Sequence, residues 1–301
     1  MTAKPPSEAL GKHGAAAGVA PERADWVVDQ GWERYTPEQH RVWKTLFERQ
    51  AALLPGRVCD EFLAGMRELA ITADAIPDFR RLSDILMRRT GWQVVAVPGL
   101  VPDDVFFDHF ANRRFPAGNF IRKPHELDYI EEPDVFHDLF GHVPMLTNPA
   151  LASYLQAYGI GGQRAQRLGV LPNLARVYWF TVEFGLVRQS GGLRIYGSGI
   201  ASSYSETRFS LEDPSPNRVG FDLARVMRTR YRIDDFQETY FVIERFDDLL
   251  ALADIDFAPI YQRVAGLPDY DPGEVLPADR VIARGTGAYH AGVKPGRATA
   301  D

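Results

Sequence analysis

The segment Glu131–Pro144 reads EEPDVFHDLFGHVP and places two of the chain's seven histidines, His137 and His142, five residues apart. Five steps along an α-helix turn a side chain through about 140°, so imidazoles at this spacing do not share a helical face. They converge only if the helix stops between them. Gly141 is the residue type that ends helices, and Pro144 follows it. The segment therefore predicts a helix entered through Pro133 that carries DVFHDLF and breaks at Gly141, with both rings turned toward a common point.

A distant segment offers that point a partner. Residues 175–189, ARVYWFTVEFGLVRQ, are apolar almost all round, which marks a buried helix, and Glu183 is the carboxylate inside it. A lone ionised carboxylate in such surroundings costs several kcal/mol unless it is paired or bound to a metal. An arginine satisfies that need as well as a metal does, and a single histidine packs into cores as readily as it ligates, so each residue alone leaves both readings open. Taken together, two imidazoles and one carboxylate make the 2-His-1-carboxylate facial triad, which holds three positions of iron(II) and leaves the others free. The H-E-x-x-H zinc pattern is not met, because the histidines are one residue too far apart and Asp138 follows the first of them. Two readings of other classes stay beside the triad: a zinc hydrolase on the same three ligands, and a structural metal in a binding protein. Structural sites are normally closed and thiolate-rich, whereas this chain has one cysteine, Cys59, read as a small core residue.

The composition narrows the classes further. The 301 residues carry 34 basic and 40 acidic side chains, a net charge of −6, which gives no support to nucleic-acid or anionic-membrane binding. No stretch approaches 18 consecutive apolar residues, so no membrane span is expected. The first residues lack an apolar run of the secretory type, and the chain is read as cytoplasmic. Residues 1–22 and 285–301 are rich in Ala, Gly and Pro without apolar periodicity, and disorder is expected there. One catalytic domain is expected over 23–284.

Within it, Thr36, Pro37 and Gln39 form a capping box with proline at the first helical position, and apolar residues recur at helical spacing until Pro55-Gly56. Further helices are expected around Val58–Leu69, from Asp78 to Gly91, over VPDDVFFDHF (101–110), and near 203–211, 221–230 and 246–254. Short strands are expected at WQVVAV (92–97), GNFIRK (118–123), 193–196 and 237–243. This is a mainly helical α+β chain and not a βαβ alternation, so a doubly wound nucleotide-binding sheet is not expected.

EPDVFHDLFGHVP, YWFTVEFGL and YGSGIASSYSE together resemble the pterin-dependent aromatic amino acid hydroxylases in their short bacterial form, in order from about Trp26 to about residue 260. The resemblance implies a helical, basket-like catalytic domain with short strands, and places iron(II) on His137, His142 and Glu183. It implies a tetrahydropterin loop in VAVPGLVPDDVFF, with Gly99, Leu100 and Val101 contacting the cofactor, Phe106 stacking on it and Asp138 beside it. A flat heteroaromatic ring needs an aromatic face and backbone hydrogen bonds more than charge, although Phe106 read alone is a core residue and Asp138 a solvated helix residue. Arg122, Trp179 and Ser202 fall on substrate-binding positions. A guanidinium suits the carboxylate of an amino acid, and Trp179 lines an aromatic slot or packs in the core. Ile130-Glu131-Glu132 stands where longer relatives carry threonine-proline, so the contact to the substrate amino group is altered. The implied reaction is hydroxylation of L-phenylalanine to L-tyrosine with O2, with tyrosine or tryptophan as rival substrates. No heptad-bearing C-terminal helix is visible, and a monomer is expected.

Overall fold

The computed structural model of the protein describes residues 23–292, Tyr129 and Glu131 excepted. The expectations for 1–22 and 293–301, including His13, lie outside the described residues. The first long helix, α1 (Pro37–Leu53), starts as the capping box requires: Gln39 N–H donates to the Thr36 hydroxyl, and the Thr36 N–H donates back to the Gln39 side chain. α2 spans Asp60–Glu68, and α3 spans Phe79–Arg89 with Asp78 accepting from the Arg80 N–H. A parallel pair follows, β1 (Gln93–Val97) and β2 (Arg114–Gly118), joined by α4 (Asp103–Ala111). This is a single βαβ unit, and its sheet stops at two strands. The strand expected at 118–123 lies upstream instead, because register with β1 is set by Phe115 and Ala117, both buried.

The chain then enters the segment that carries the histidines. The helix begun at Val135 does not break at Gly141. It widens into a π-helical turn over His137–His142, where the Val143 N–H reaches back five residues to the Asp138 carbonyl. A five-residue turn returns His142 to the face of His137, which an α-turn does not. Behind the turn, Phe136 and Phe140 stack at 4.8 Å, Trp43 from α1 meets Phe136 edge-on at 5.4 Å, and Phe47 meets Phe140 at 5.5 Å.

Next come α5 (Pro149–Leu168) and α6 (Leu171–Tyr178). α5 contains Gly159, Gly161 and Gly162, and a Cβ at Gly162 would stand 2.0 Å from the Phe107 ring of α4. Helix propensity is given up there so that the two helices can touch. The expected buried helix over 175–189 is cut short. α6 passes into a second π-helical turn, Trp179–Glu183, with Phe184 N–H bonded to the Trp179 carbonyl, and residues Leu186–Gln189 leave as strand β3.

β3 pairs with β4 (Gly192–Ile195) and belongs to a five-stranded sheet ordered β4-β3-β6-β5-β7, with β5 at Asn217–Gly220, β6 at Thr239–Ile243 and β7 at Val281–Ala283. Between these strands lie α7 (Ser198–Ala201), α8 (Tyr204–Glu212), α9 (Leu223–Met227), α10 (Asp247–Ala253) and α11 (Ala258–Val264). Residues 285–292 are not a loose tail: the short helix α12 (Ala288–Ala291) sets Tyr289 edge-on against Phe209 at 5.1 Å, and the Gly285 N–H donates to Asn217. No helix among the described residues is long and apolar enough to cross a membrane. Cys59 is buried, and burial pushes its thiol well above the ordinary range, as a core residue requires.

Phe140→Ala removes the ring that three aromatic neighbours pack against the histidine turn and should cost about 3–5 kcal/mol in urea unfolding. A second expectation concerns Glu206, buried against Tyr240, whose carboxyl burial pushes up to about 7 from an ordinary 4.5. Between those values the folded chain binds more protons than the unfolded one, so this contribution is complete below about pH 4.5 and lost as pH rises through 7. Glu206→Gln should flatten that part of the stability–pH curve.

Candidate metal centre

Two π-helical turns, remote in sequence, aim their ends at each other. Nε2 of His142 lies 3.1 Å from Nε2 of His137 and 3.1 Å from Oε1 of Glu183, and Nε2 of His137 lies 3.7 Å from Oε2 of Glu183. All three ligand atoms fall within 4.8 Å of one another. Spacings of about 3 Å are those of neighbouring donors around a divalent ion bonded at about 2.1 Å. Glu183 is therefore not paired to an arginine; its partners are the two imidazoles and the hydroxyl of Ser198.

The electrostatics fit a cation in this position. Burial alone would raise the Glu183 carboxyl, but His142, then His137 and the Ser198 hydroxyl, hold it down at about 2. Burial also pushes His137 down to about 4, so its ring is neutral at pH 7. Its neighbours suit one tautomer. With the Ser202 hydroxyl proton directed to the Ser198 carbonyl at 2.8 Å, the same oxygen accepts from Nδ1 of His137 at 2.9 Å, which is the tautomer a metal at Nε2 requires. Nε2 then presents a bare lone pair to the shared point, the arrangement that metal-binding imidazoles adopt. Such a set of two imidazoles and a carboxylate, converging in a largely enclosed space without a thiolate ligand, suits a divalent transition metal.

Glycine explains how the surroundings close in. A Cβ at Gly141 would lie 3.0 Å from the Ser198 carbonyl oxygen and 3.2 Å from Ser198 Cβ. Gly141 thus admits α7 against the histidine turn, rather than ending the helix as its place in the sequence suggests.

The remaining expected residues fall into two groups by their contacts. Phe106 packs 4.2 Å from Phe110 and 5.9 Å from Tyr178, whose ring lies over His142 at 6.4 Å and 25°. The loop of Gly99, Leu100 and Val101 is tied to the approach to the histidine turn through Leu100 N–H and Glu132, 3.1 Å apart. Asp138 is not solvated: it is buried, accepts from the Gly118 N–H at 2.8 Å, and burial raises its carboxyl to about 7. In the second group, Arg122 is buried and doubly bonded to Asp134, Nε to Oδ2 and Nη2 to Oδ1, each at 2.9 Å. The Asp134 carboxylate also accepts from the backbone N–H groups of Arg122 and His137. Burial alone would raise it; these partners, the guanidinium foremost, hold it below its ordinary value. Trp179 stacks on Tyr231 at 4.2 Å and donates Nε1–H to Gln237 at 3.0 Å. Ser202 stands behind His137, its hydroxyl engaged by the ring and by Ser198, so its contacts in the fold are to the metal-side histidine.

Residues that sequence reasoning missed are Asp134, Ser198, Tyr178 and Gln237. Asp134 carried one signal, an acid three residues before His137; the partners of the others are distant in sequence. Among the other histidines, His40 and His109 are engaged with backbone groups at Ile76 and Asp25, His125 is exposed, and His290 packs beside Asp235 rather than in a loose end.

Asp134→Ala would leave the buried Arg122 guanidinium without its counter-charge. It should destabilise the fold by about 3–5 kcal/mol, read from chemical unfolding.

Known proteins place this arrangement in context. The sequence profile described as biopterin-dependent aromatic amino acid hydroxylase matches residues 32–264. The phenylalanine-4-hydroxylase of Caulobacter vibrioides is 62% identical over 267 residues, covering 89% of this chain and 91% of that protein. The crystal structure of Chromobacterium violaceum phenylalanine hydroxylase with iron and phenylalanine bound has a TM-score of 0.84 at 55% identity, over 88% of this chain and 97% of the other. The same enzyme with iron(III) and oxidised 7,8-dihydrobiopterin gives 0.84 at 56% identity, over 88% and 95%. The relationship spans both π-helical turns and everything between them, and the chain belongs to the biopterin-dependent aromatic amino acid hydroxylase family.

Proposed function

We propose that this protein is an iron(II)- and tetrahydropterin-dependent monooxygenase that hydroxylates L-phenylalanine to L-tyrosine with O2. The observation that carries the reading is the meeting of His137, His142 and Glu183, whose ligand atoms lie within 4.8 Å of one another. Iron bound there, together with the reduced pterin, supplies the oxygen-activating redox chemistry.

The chain's own contribution is placement. His137, His142 and Glu183 hold the ion from one side and leave the opposite side for the reactants. Gly99, Leu100 and Val101 offer backbone and a small apolar surface to the pterin, Phe106 offers its ring face, and Asp138 stands at the edge of that space. Arg122, fixed in angle by Asp134, presents its remaining N–H groups to the substrate carboxylate. Trp179, clamped between Tyr231 and Gln237, walls the slot for the substrate ring, and Ser202 acts on the substrate side through His137. The aromatic lining of Phe106, Tyr178 and Phe115 keeps water from the reacting atoms. The relatives' substrate and cofactors, phenylalanine, iron and dihydrobiopterin, support the same set here. We further infer that residues 23–284 form the catalytic domain and that the protein works in the cytoplasm as a monomer.

The test is direct. Purified protein with iron(II), a tetrahydropterin and phenylalanine should yield tyrosine, and parallel reactions with tyrosine and tryptophan should be slower. Absence of tyrosine at full metal occupancy contradicts the reading. Alanine at His137, His142 or Glu183 should abolish both iron retention and turnover. Arg122→Lys should raise KM for phenylalanine with metal content unchanged, because an ammonium cannot reproduce the planar fork.

A further inference from the structure

The hydroxyl of Ser198 lies within hydrogen-bond distance of the ligand atoms of both His142 and Glu183. Ser198 is buried, at 1% exposure, at the start of α7. Its Oγ is 2.9 Å from Nε2 of His142, 3.0 Å from Oε2 of Glu183 and 3.0 Å from the Val182 carbonyl. Gly141, having no side chain, lets Ser198 sit against the histidine turn: a Cβ there would lie 3.2 Å from Ser198 Cβ. Its own carbonyl also lies 2.8 Å from the Ser202 hydroxyl, which in turn stands 2.9 Å from Nδ1 of His137. One short turn of chain, 198–202, therefore touches all three residues of the triad.

A hydroxyl has one proton to give. When His142 commits its Nε2 lone pair to a cation, that nitrogen no longer accepts, and two acceptors remain for Ser198, both at 3.0 Å: a neutral carbonyl and an ionised carboxylate. The ionised one makes the stronger bond. The two oxygens of Glu183 are then unequal: Oε2 is held by Ser198, while Oε1 faces Nε2 of His142 at 3.1 Å.

We propose that Ser198 is a positioning residue of the metal site, whose hydroxyl ties back one oxygen of Glu183 so that the carboxylate offers the ion a single oxygen and a coordination position stays free for the reactants. Partners of ligating groups that act in this way commonly change metal affinity by about 10–100-fold when removed. The proposal rests on the metal reading of His137, His142 and Glu183, and its test separates the two.

The experiment compares wild type with Ser198→Ala and Ser198→Gly, two variants that lack the hydroxyl but leave different packing. Two readouts are needed: the iron(II) dissociation constant from anaerobic chelator competition, and the visible absorption of the cobalt(II)-loaded proteins, which reports the number and arrangement of ligands independently of turnover. The expected result is iron(II) binding weakened about tenfold in both variants, with a common change in the cobalt(II) spectrum as the second carboxylate oxygen is released. A wild-type dissociation constant and cobalt(II) spectrum in Ser198→Ala would overturn the proposal. An effect confined to Ser198→Gly would assign the change to packing and overturn it equally. Wild-type protein that binds neither ion would remove the metal reading itself.

Discussion

The structure turns on a half-buried carboxylate that has to be neutralised. Glu183 ends a π-helical turn inside an apolar layer, and the groups that face it are two imidazoles from another π-helical turn more than forty residues away in the chain. Leaving such a charge unpaired costs several kcal/mol, so the fold must hold the two turns facing each other. It does so from behind. Phe136 and Phe140 anchor one turn against Trp43 and Phe47, while Phe180 of the other is buried against Phe241 of β6 at 4.9 Å. The apolar mass of the protein thus works as the mount for three polar side chains.

The same arrangement separates two charge systems that would otherwise compete. Arg122 lies near the triad in sequence and space, but Asp134 takes up its charge through a planar two-point contact, and the Asp134 carboxylate also caps the His137 N–H. The guanidinium is therefore oriented without being drawn to Glu183. One acid sets the angle of the Arg122 guanidinium and the start of the histidine turn together, so the proposed substrate and metal sites would depend mechanically on each other.

Some of this was legible in the residues alone, and the pattern of what was not is physical. α1 and α3 could be read because their caps, Thr36 with Gln39 and Asp78, are local chemistry. The three residues that meet could be singled out because a carboxylate in an apolar window and a pair of histidines both demand a partner. The way they meet could not, since periodicity at 3.6 residues has no template for a π-helical turn, and Gly141 looked like a stop signal when its role is to admit Ser198. β3 was taken for helix because a short apolar run such as Leu186-Val187 suits either state. α5 has clear ends, Asn148 with Pro149 and Gly169, but its three glycines obscure it, and the helix they face, α4, is not its neighbour in sequence. β5 and β7 are too short to show alternation. Asp134, Ser198 and Gln237 act through tertiary contacts, which no local pattern reports.

The central claim is that one ferrous ion sits among His137, His142 and Glu183 with positions to spare. X-ray absorption of the iron(II)-loaded protein measures this directly. The account predicts one iron per chain, a first shell of nitrogen and oxygen only, and the outer-shell scattering of two imidazoles that falls to one in His142→Ala. A shell containing sulfur, or imidazole scattering that His142→Ala leaves unchanged, would contradict it.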